Sequence, residues 1–288
     1  MSNPTTLIGG GHVHANGIRQ HYLRYGGEAL RAAHDPVVIV PGITSPAATW
    51  DFVGAWFGQC FDTYVLDVRG RGLSSAGDAL DYSLDAQAAD LVAFADALGL
   101  ARYSVAGHSM GARIGLRAAR AKPAGLARLA MIDPPVSGPG RRAYPAKLPW
   151  YVDSMRLARA GMTGAAMREF CPTWTDAQLQ CRAEWLHTCD ERAVLASFDG
   201  FHTDDVHADM PQVSIPTLLI TAGRGDVVRA EDVDEIAAAM PQLEHRRVAN
   251  AGHMIPWDDE AGFYAAFGAF LGAALPPLDP LDPLKQGE

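Results

Sequence analysis

Val105-Ala106-Gly107-His108-Ser109-Met110-Gly111-Ala112 is the stretch that decides how this chain folds. Tyr103-Ser104-Val105-Ala106 reads as a short buried strand, and Ala112 to Arg120 are strong helix formers. The serine at the centre of G-x-S-x-G therefore falls on the sharp turn between them. Glycines two before and two after it let the arms of the turn approach without Cβ clashes, which lifts the hydroxyl clear of the backbone as in a nucleophile elbow. Alone, G-x-S-x-G is a weak signal; a strand before it and a helix after it make it specific.

A serine hydroxyl is a poor nucleophile at neutral pH and needs an imidazole to take its proton. Of the ten histidines, His253 is placed for this, because Arg246 to Val248 reads as the end of a final strand and Ala249-Asn250-Ala251-Gly252-His253 as the loop before the last helix. The other nine are read as ordinary histidines. Two carboxylates compete to orient the imidazole. Asp226 follows the strand Thr217 to Thr221, the usual place in the order nucleophile, acid, base, and Asp133 follows the strand Arg128 to Ile132. The spare one is expected to be a turn carboxylate that accepts backbone N–H bonds. The apolar strand Val37 to Val40 runs into Pro41-Gly42-Ile43-Thr44, so the N–H groups of Ile43 and Met110 are the expected oxyanion donors.

Working outward, strands are expected at 12–15, 18–25, 37–40, 63–67, 103–106, 128–132, 217–221 and 244–248. Helices are expected at 85–98, 112–120, 231–240 and 261–271. Alternation of apolar runs with helices means parallel strands joined by crossover helices on both faces of the sheet. Asn16-Gly17 between the first two strands marks a hairpin and so an antiparallel edge. The alternation stops after Ile132, and the tryptophan- and tyrosine-rich stretch that follows predicts a helical cap at 137–206, inserted after strand 6 over the carboxyl ends of the strands. The core is then 1–136 with 207–275, and 276–288 is a proline-rich tail expected to be extended or disordered.

With 288 residues and 48% hydrophobic content the chain can bury a large core. A net charge of −9 argues against nucleic acid and gives no reason to expect an anionic membrane as partner. No run is long enough to span a bilayer, and Met1 to Thr6 lacks the basic and apolar regions of a signal peptide, so a cytoplasmic protein is expected. The four cysteines, Cys60, Cys171, Cys181 and Cys189, form no C-x-x-C pair and are read as packing residues; neither metal nor cofactor is expected.

Gly107 to Gly111, Asp67-Val68-Arg69-Gly70-Arg71-Gly72-Leu73-Ser74 and Gly252-His253 resemble the α/β-hydrolase superfamily over nearly the whole length. Within it, His21 to Gly27, Val40 to Pro46, Asp133 to Pro145, Lys147 to Ser154 and Ala251 to Asp259 resemble the family of N-formylmaleamate deformylases. The resemblance implies the α/β-hydrolase fold, a mostly parallel eight-stranded sheet with helices on both faces. It implies a metal-independent serine amidohydrolase that converts a small carboxylate substrate, N-formylmaleamate, to maleamate and formate, in aerobic nicotinate degradation. It also implies a triad of Ser109, His253 and Asp133. Pro41-Gly42 stands where the superfamily commonly has His-Gly, which keeps the backbone donor but removes a histidine. A cation should meet the substrate carboxylate, and Arg141 and Arg142 are the candidates because they follow directly on the Asp133 loop. Tyr144, Trp150, Trp185, His187 and His202 are candidate pocket residues. Competing readings are a hydrolase of the same fold acting on an ester, lactone or carbon–carbon bond, and a ligand-binding member without turnover.

Overall fold

Eight strands and ten α-helices follow one another in a computed structural model that describes residues 6–278. The strands are β1 (Leu7–Ala15), β2 (Ile18–Tyr25), β3 (Val37–Val40), β4 (Thr63–Leu66), β5 (Tyr103–His108), β6 (Leu126–Ile132), β7 (Thr217–Ala222) and β8 (Leu243–Val248). They make one sheet in the order β1-β2-β4-β3-β5-β6-β7-β8. The β1–β2 hairpin and the β2–β4 pair are antiparallel, and every other pair is parallel. Side chains of β3, β4, β5 and β7 are buried throughout, as expected of strands covered on both faces.

The helices are α1 (Asp51–Phe57), α2 (Leu84–Ala97), α3 (Met110–Arg120), α4 (Leu148–Arg159), α5 (Gly164–Met167), α6 (Asp176–Trp185), α7 (Glu191–Thr203), α8 (Ala230–Ala239), α9 (Ile255–Asp258) and α10 (Glu260–Phe267). Four of them, α4 to α7, lie between β6 and β7. Local chemistry starts these helices: the side chains of Thr163, Thr175 and Asp190 each accept from a first-turn N–H, and Gln178 completes a capping box with Thr175.

Two buried arginines tie this insertion to the strand ends. Arg71 donates to Ile43 O at 3.0 Å, Ala193 O at 3.1 Å and Ser197 Oγ at 2.9 Å, so one guanidinium spans the turn after β3 and helix α7. Arg113 on α3 donates to Pro135 O, Ser137 O, Gly200 O and Asp204 O, clasping both ends of the inserted segment. Burial pushes both guanidinium groups down to about 10, which leaves them charged at neutral pH. Each such charged bond stabilises by roughly 1.5–3 kcal/mol. In the D-x-R-G-x-G-x-S loop, Asp67 accepts from Ala47 N, Leu73 N and His21 Nδ1, so that segment holds the loop's shape rather than facing substrate.

Some boundaries differ from those expected from the sequence. β1 begins at Leu7 rather than residue 12, because pairing with β2 recruits Gly9, Gly10 and Gly11, which have no side chains to signal a strand. The last helix stops at Phe267 rather than 271, where Gly268 turns to φ 50°. The short helices α1 and α9 carry too few turns to show a period. Trp56 Nε1 donates to Pro276 O at 3.0 Å at the start of the expected tail; 279–288 lie outside the described residues.

Candidate active site

β5 ends at His108 and α3 begins at Met110, which leaves Ser109 alone in the turn at φ 54° and ψ −116°. A non-glycine residue in that region costs about 1–3 kcal/mol and persists only where its surroundings enforce it. Here Ser109 N donates to Ile132 O at 2.8 Å, and a Cβ on Gly111 would collide with Val40 O, so only glycine lets the helix come so close to β3. The elbow expected from G-x-S-x-G is thus built by the neighbouring strands as much as by its own residues.

Asp133 follows β6 in a second positive-φ turn, at 44°, and is fully buried. Its N–H donates to Ile220 O at 2.8 Å, its Oδ1 accepts from Ala222 N at 3.2 Å, and its Oδ2 lies 2.7 Å from His253 Nδ1. His253 Nε2 is 3.0 Å from Ser109 Oγ. Nδ1–H therefore donates to the carboxylate and Nε2 is free to accept from the serine, the tautomer a general base requires. Asp226 is exposed, and among the described residues only its backbone carbonyl is engaged, by Arg142 Nη1 at 2.9 Å. Between the two carboxylates left open by the sequence, the structure brings Asp133 to His253 and leaves Asp226 outside.

Three further groups fix this arrangement. His108 is buried and its Nε2–H donates to His253 O at 2.9 Å; burial, helped by His253, pushes its pKa down to about 3, so it stays a neutral donor that holds the histidine loop. Tyr144 Oη sits 3.4 Å from His253 Nε2 and 3.1 Å from Tyr151 Oη. Burial pushes Tyr144 well above its ordinary value, so it remains a phenol that can donate. Among the described residues no acceptor takes the N–H of Ile43 or of Met110. Both residues are buried beside the elbow, and Arg71 Nε on Ile43 O holds the first of them in place. Two open amides beside a serine suit a developing oxyanion.

The cation candidates are placed elsewhere. Arg141 bonds Glu235, at 2.8 Å through Nη1, and Arg142 bonds Asp232, Asp226 O and Val227 O, so both join the inserted segment to α8. Of the aromatic candidates, Tyr144 is at the site and Trp150 is half-buried against Arg182. His187 is exposed, Trp185 is half-buried at the end of α6, and His202 donates through Nδ1 to Phe198 O at 3.1 Å; none of the three is brought to Ser109.

The sequence reading missed His108, Tyr151 and Arg182. For Arg182 a signal exists: Leu179, Arg182, Ala183 and Leu186 are buried at i, i+3, i+4 and i+7, so a cation stands on the apolar stripe of α6. No helix among the described residues is long and apolar enough to cross a membrane.

The sheet order, the strained serine after β5 and the histidine after β8 define an α/β hydrolase. A profile of the alpha/beta hydrolase fold matches residues 35–260, and the chain belongs to that family. N-formylmaleamate deformylase of Pseudomonas putida is 60% identical over 267 residues, which cover 93% of this chain and 98% of that protein. A crystal structure of an N-formylmaleamic acid deformylase from a Pseudomonas putida strain superposes with a TM-score of 0.85 at 52% identity, covering 90% of this chain and all (100%) of that one. The structure of E-2-(acetamidomethylene)succinate hydrolase shares the fold, with a TM-score of 0.74 at 20% identity over 93% of this chain and 100% of that one.

Proposed function

We propose that the protein hydrolyses N-formylmaleamate to maleamate and formate through a formyl ester on Ser109. The reading is carried by 60% identity to a deformylase across 93% of the chain, and supported by the run Ser109 Oγ, His253 Nε2, His253 Nδ1, Asp133 Oδ2 at 3.0 and 2.7 Å. Ser109 Oγ attacks the formyl carbon as His253 takes its proton, and the carbonyl oxygen becomes an oxyanion on the Ile43 and Met110 amides. His253 then returns the proton to the leaving nitrogen, the C–N bond breaks, and maleamate departs. Water loses a proton to the same imidazole, attacks the formyl ester and releases formate, and Ser109 regains its proton. An amide nitrogen bearing a second acyl group leaves more readily than an ordinary amine, so serine chemistry suffices.

In the same reading, residues 137–206 form the cap that shapes the substrate pocket, and the four free cysteines suit a reducing compartment, the cytoplasm. Incubating the purified protein with N-formylmaleamate and measuring formate and maleamate tests the proposal. Equimolar products are expected from the wild type and almost none from Ser109→Ala. A wild-type protein that releases no formate overturns it.

A further inference from the structure

Four arginines are buried among the described residues, and three of them are fully engaged. Arg69 binds Asp90 through two nitrogens, while Arg71 and Arg113 each spread their N–H groups over four or more acceptors. The fourth, Arg182, is 2% exposed yet makes two long bonds, to Thr44 O and Thr44 Oγ1 at 3.2 Å each, and otherwise its N–H groups meet only the neutral thiol of Cys171 among the described residues. Its Nε–H meets no acceptor, and no carboxylate among the described residues lies within ion-pair distance. Arg71 and Arg113 likewise lack a carboxylate, but backbone carbonyls satisfy them; a buried guanidinium with an unmet N–H and no counter-charge is costly unless something supplies an acceptor.

The surroundings of Arg182 say what that is. Its guanidinium lies over the rings of Trp150 and Trp174, 5.6 and 5.7 Å from their centroids, contacts that favour the cation without using up its N–H donors. Thr44, on which it rests, directly follows Ile43, the expected oxyanion donor. Its positive charge also reaches the Tyr151 hydroxyl, which bonds Tyr144 at 3.1 Å, and Tyr144 in turn reaches His253. The cation is therefore tied to the reacting end from two sides, through the oxyanion turn and through the tyrosine pair.

We propose that Arg182 is the specificity-determining residue of the site, pairing with the carboxylate of a small acyclic substrate whose other end is cleaved at Ser109. The proposal rests on the deformylase reading for the identity of that substrate, and on the unpaired buried cation for its charge. A carboxylate accepts from Nε and one Nη of a guanidinium in parallel, which is the geometry this half-satisfied arginine lacks. The seated carboxylate then fixes where the formyl carbon falls relative to Ile43 and Ser109.

The test compares a carboxylate substrate with its neutral counterpart: N-formylmaleamate against its methyl ester, and the 4-nitrophenyl monoester of succinate against 4-nitrophenyl acetate. In Arg182→Met and Arg182→Gln the ratio of kcat/KM, anionic over neutral, falls roughly 100-fold, and Arg182→Lys keeps most of it. An unmoved ratio in folded variants overturns the proposal. Independently of any variant, maleamate should raise the unfolding midpoint of the wild type while the neutral diamide of maleic acid should not; equal shifts also overturn it. If the wild type cleaves neither formyl substrate, the deformylase reading is wrong, and the nitrophenyl pair still reports on Arg182.

Discussion

Replacing His108 with glutamine tests whether a buried neutral imidazole holds the histidine loop, and the size of the effect follows from the structure. His108 is 1% exposed, its Nε2–H is taken by His253 O at 2.9 Å, and its Nδ1 has no partner. Protonation would place a second, unpaired N–H in a site packed against Trp50 and the His253 ring, and the pKa accordingly falls from 6.5 to about 3, by burial first and by the His253 charge second. Between those two values the unfolded chain binds a proton that the folded one refuses. The stability due to this group is thus complete above the unfolded value and is lost as pH falls below it, by about 1.4 kcal/mol per pH unit until the folded value is reached. From pH 7.5 to 5.0 the loss is about 2 kcal/mol. Glutamine can keep the bond to His253 O and does not titrate, so His108→Gln should lose about 2 kcal/mol less than the wild type over that interval. His12, His207 and His245 also have lowered values, but they are common to both proteins and cancel. Urea unfolding at the two pH values measures the difference. Equal acid losses would refute the assignment of His108 as a buried neutral donor.

Asp133→Asn should lower kcat by about 10⁴ by favouring the wrong imidazole tautomer, whereas Asp226→Asn should stay within about threefold of wild type; steady-state kinetics with either substrate pair decides. Ser109→Ala and His253→Ala should each abolish formate release, and the double variant should be no slower than either, since the two act as one unit. Gly111→Ala should destabilise the fold by roughly 3 kcal/mol or more, read by thermal melting, because its Cβ would run into Val40 O and the crowded atoms are backbone. Exhaustive chelation should leave formate release unchanged, because nucleophile, base and oxyanion donors all come from the polypeptide; activity lost to chelator and restored by zinc would show the reaction class to be wrong.

What the sequence made legible was what local backbone chemistry decides. Ser109 could be placed because a strand, a glycine-flanked turn and a helix are contiguous in the chain, and His253 because it follows the last strand. Asp133 and Asp226 could not be separated, since both follow strands that end on the same side of the sheet. What separates them is tertiary: Asp133 turns to φ 44° and anchors one oxygen on Ala222 N, leaving the other for the imidazole. For Arg141 and Arg142, nearness along the chain carries no information about partners, and Glu235 and Asp232 on α8 pair with them. Arg182 lies far from any motif, and only its place on the apolar face of α6 marks it.

The geometry of the reacting groups depends on the sheet before it depends on anything else. Two hydrogen bonds link the carboxyl ends of the three neighbouring parallel strands β5, β6 and β7. Ser109 N after β5 donates to Ile132 O at the end of β6, and Asp133 N after β6 donates to Ile220 O in β7. The parallel stagger therefore sets the spacing of serine and acid with no help from α4 to α7. His253 is then located from both sides, by Asp133 at its ring and by His108 at its carbonyl. Arg182, Trp150, Trp174, Tyr151 and Tyr144 belong instead to the insertion; Arg182 meets the core at Thr44, and Tyr144 meets it at His253. Chemistry and recognition thus rest on different elements, which Arg71 and Arg113 also tie together. For that reason a change in the insertion should alter which substrates are chosen while the serine-to-acid relay stays in register, and a change at the strand ends should slow every substrate alike.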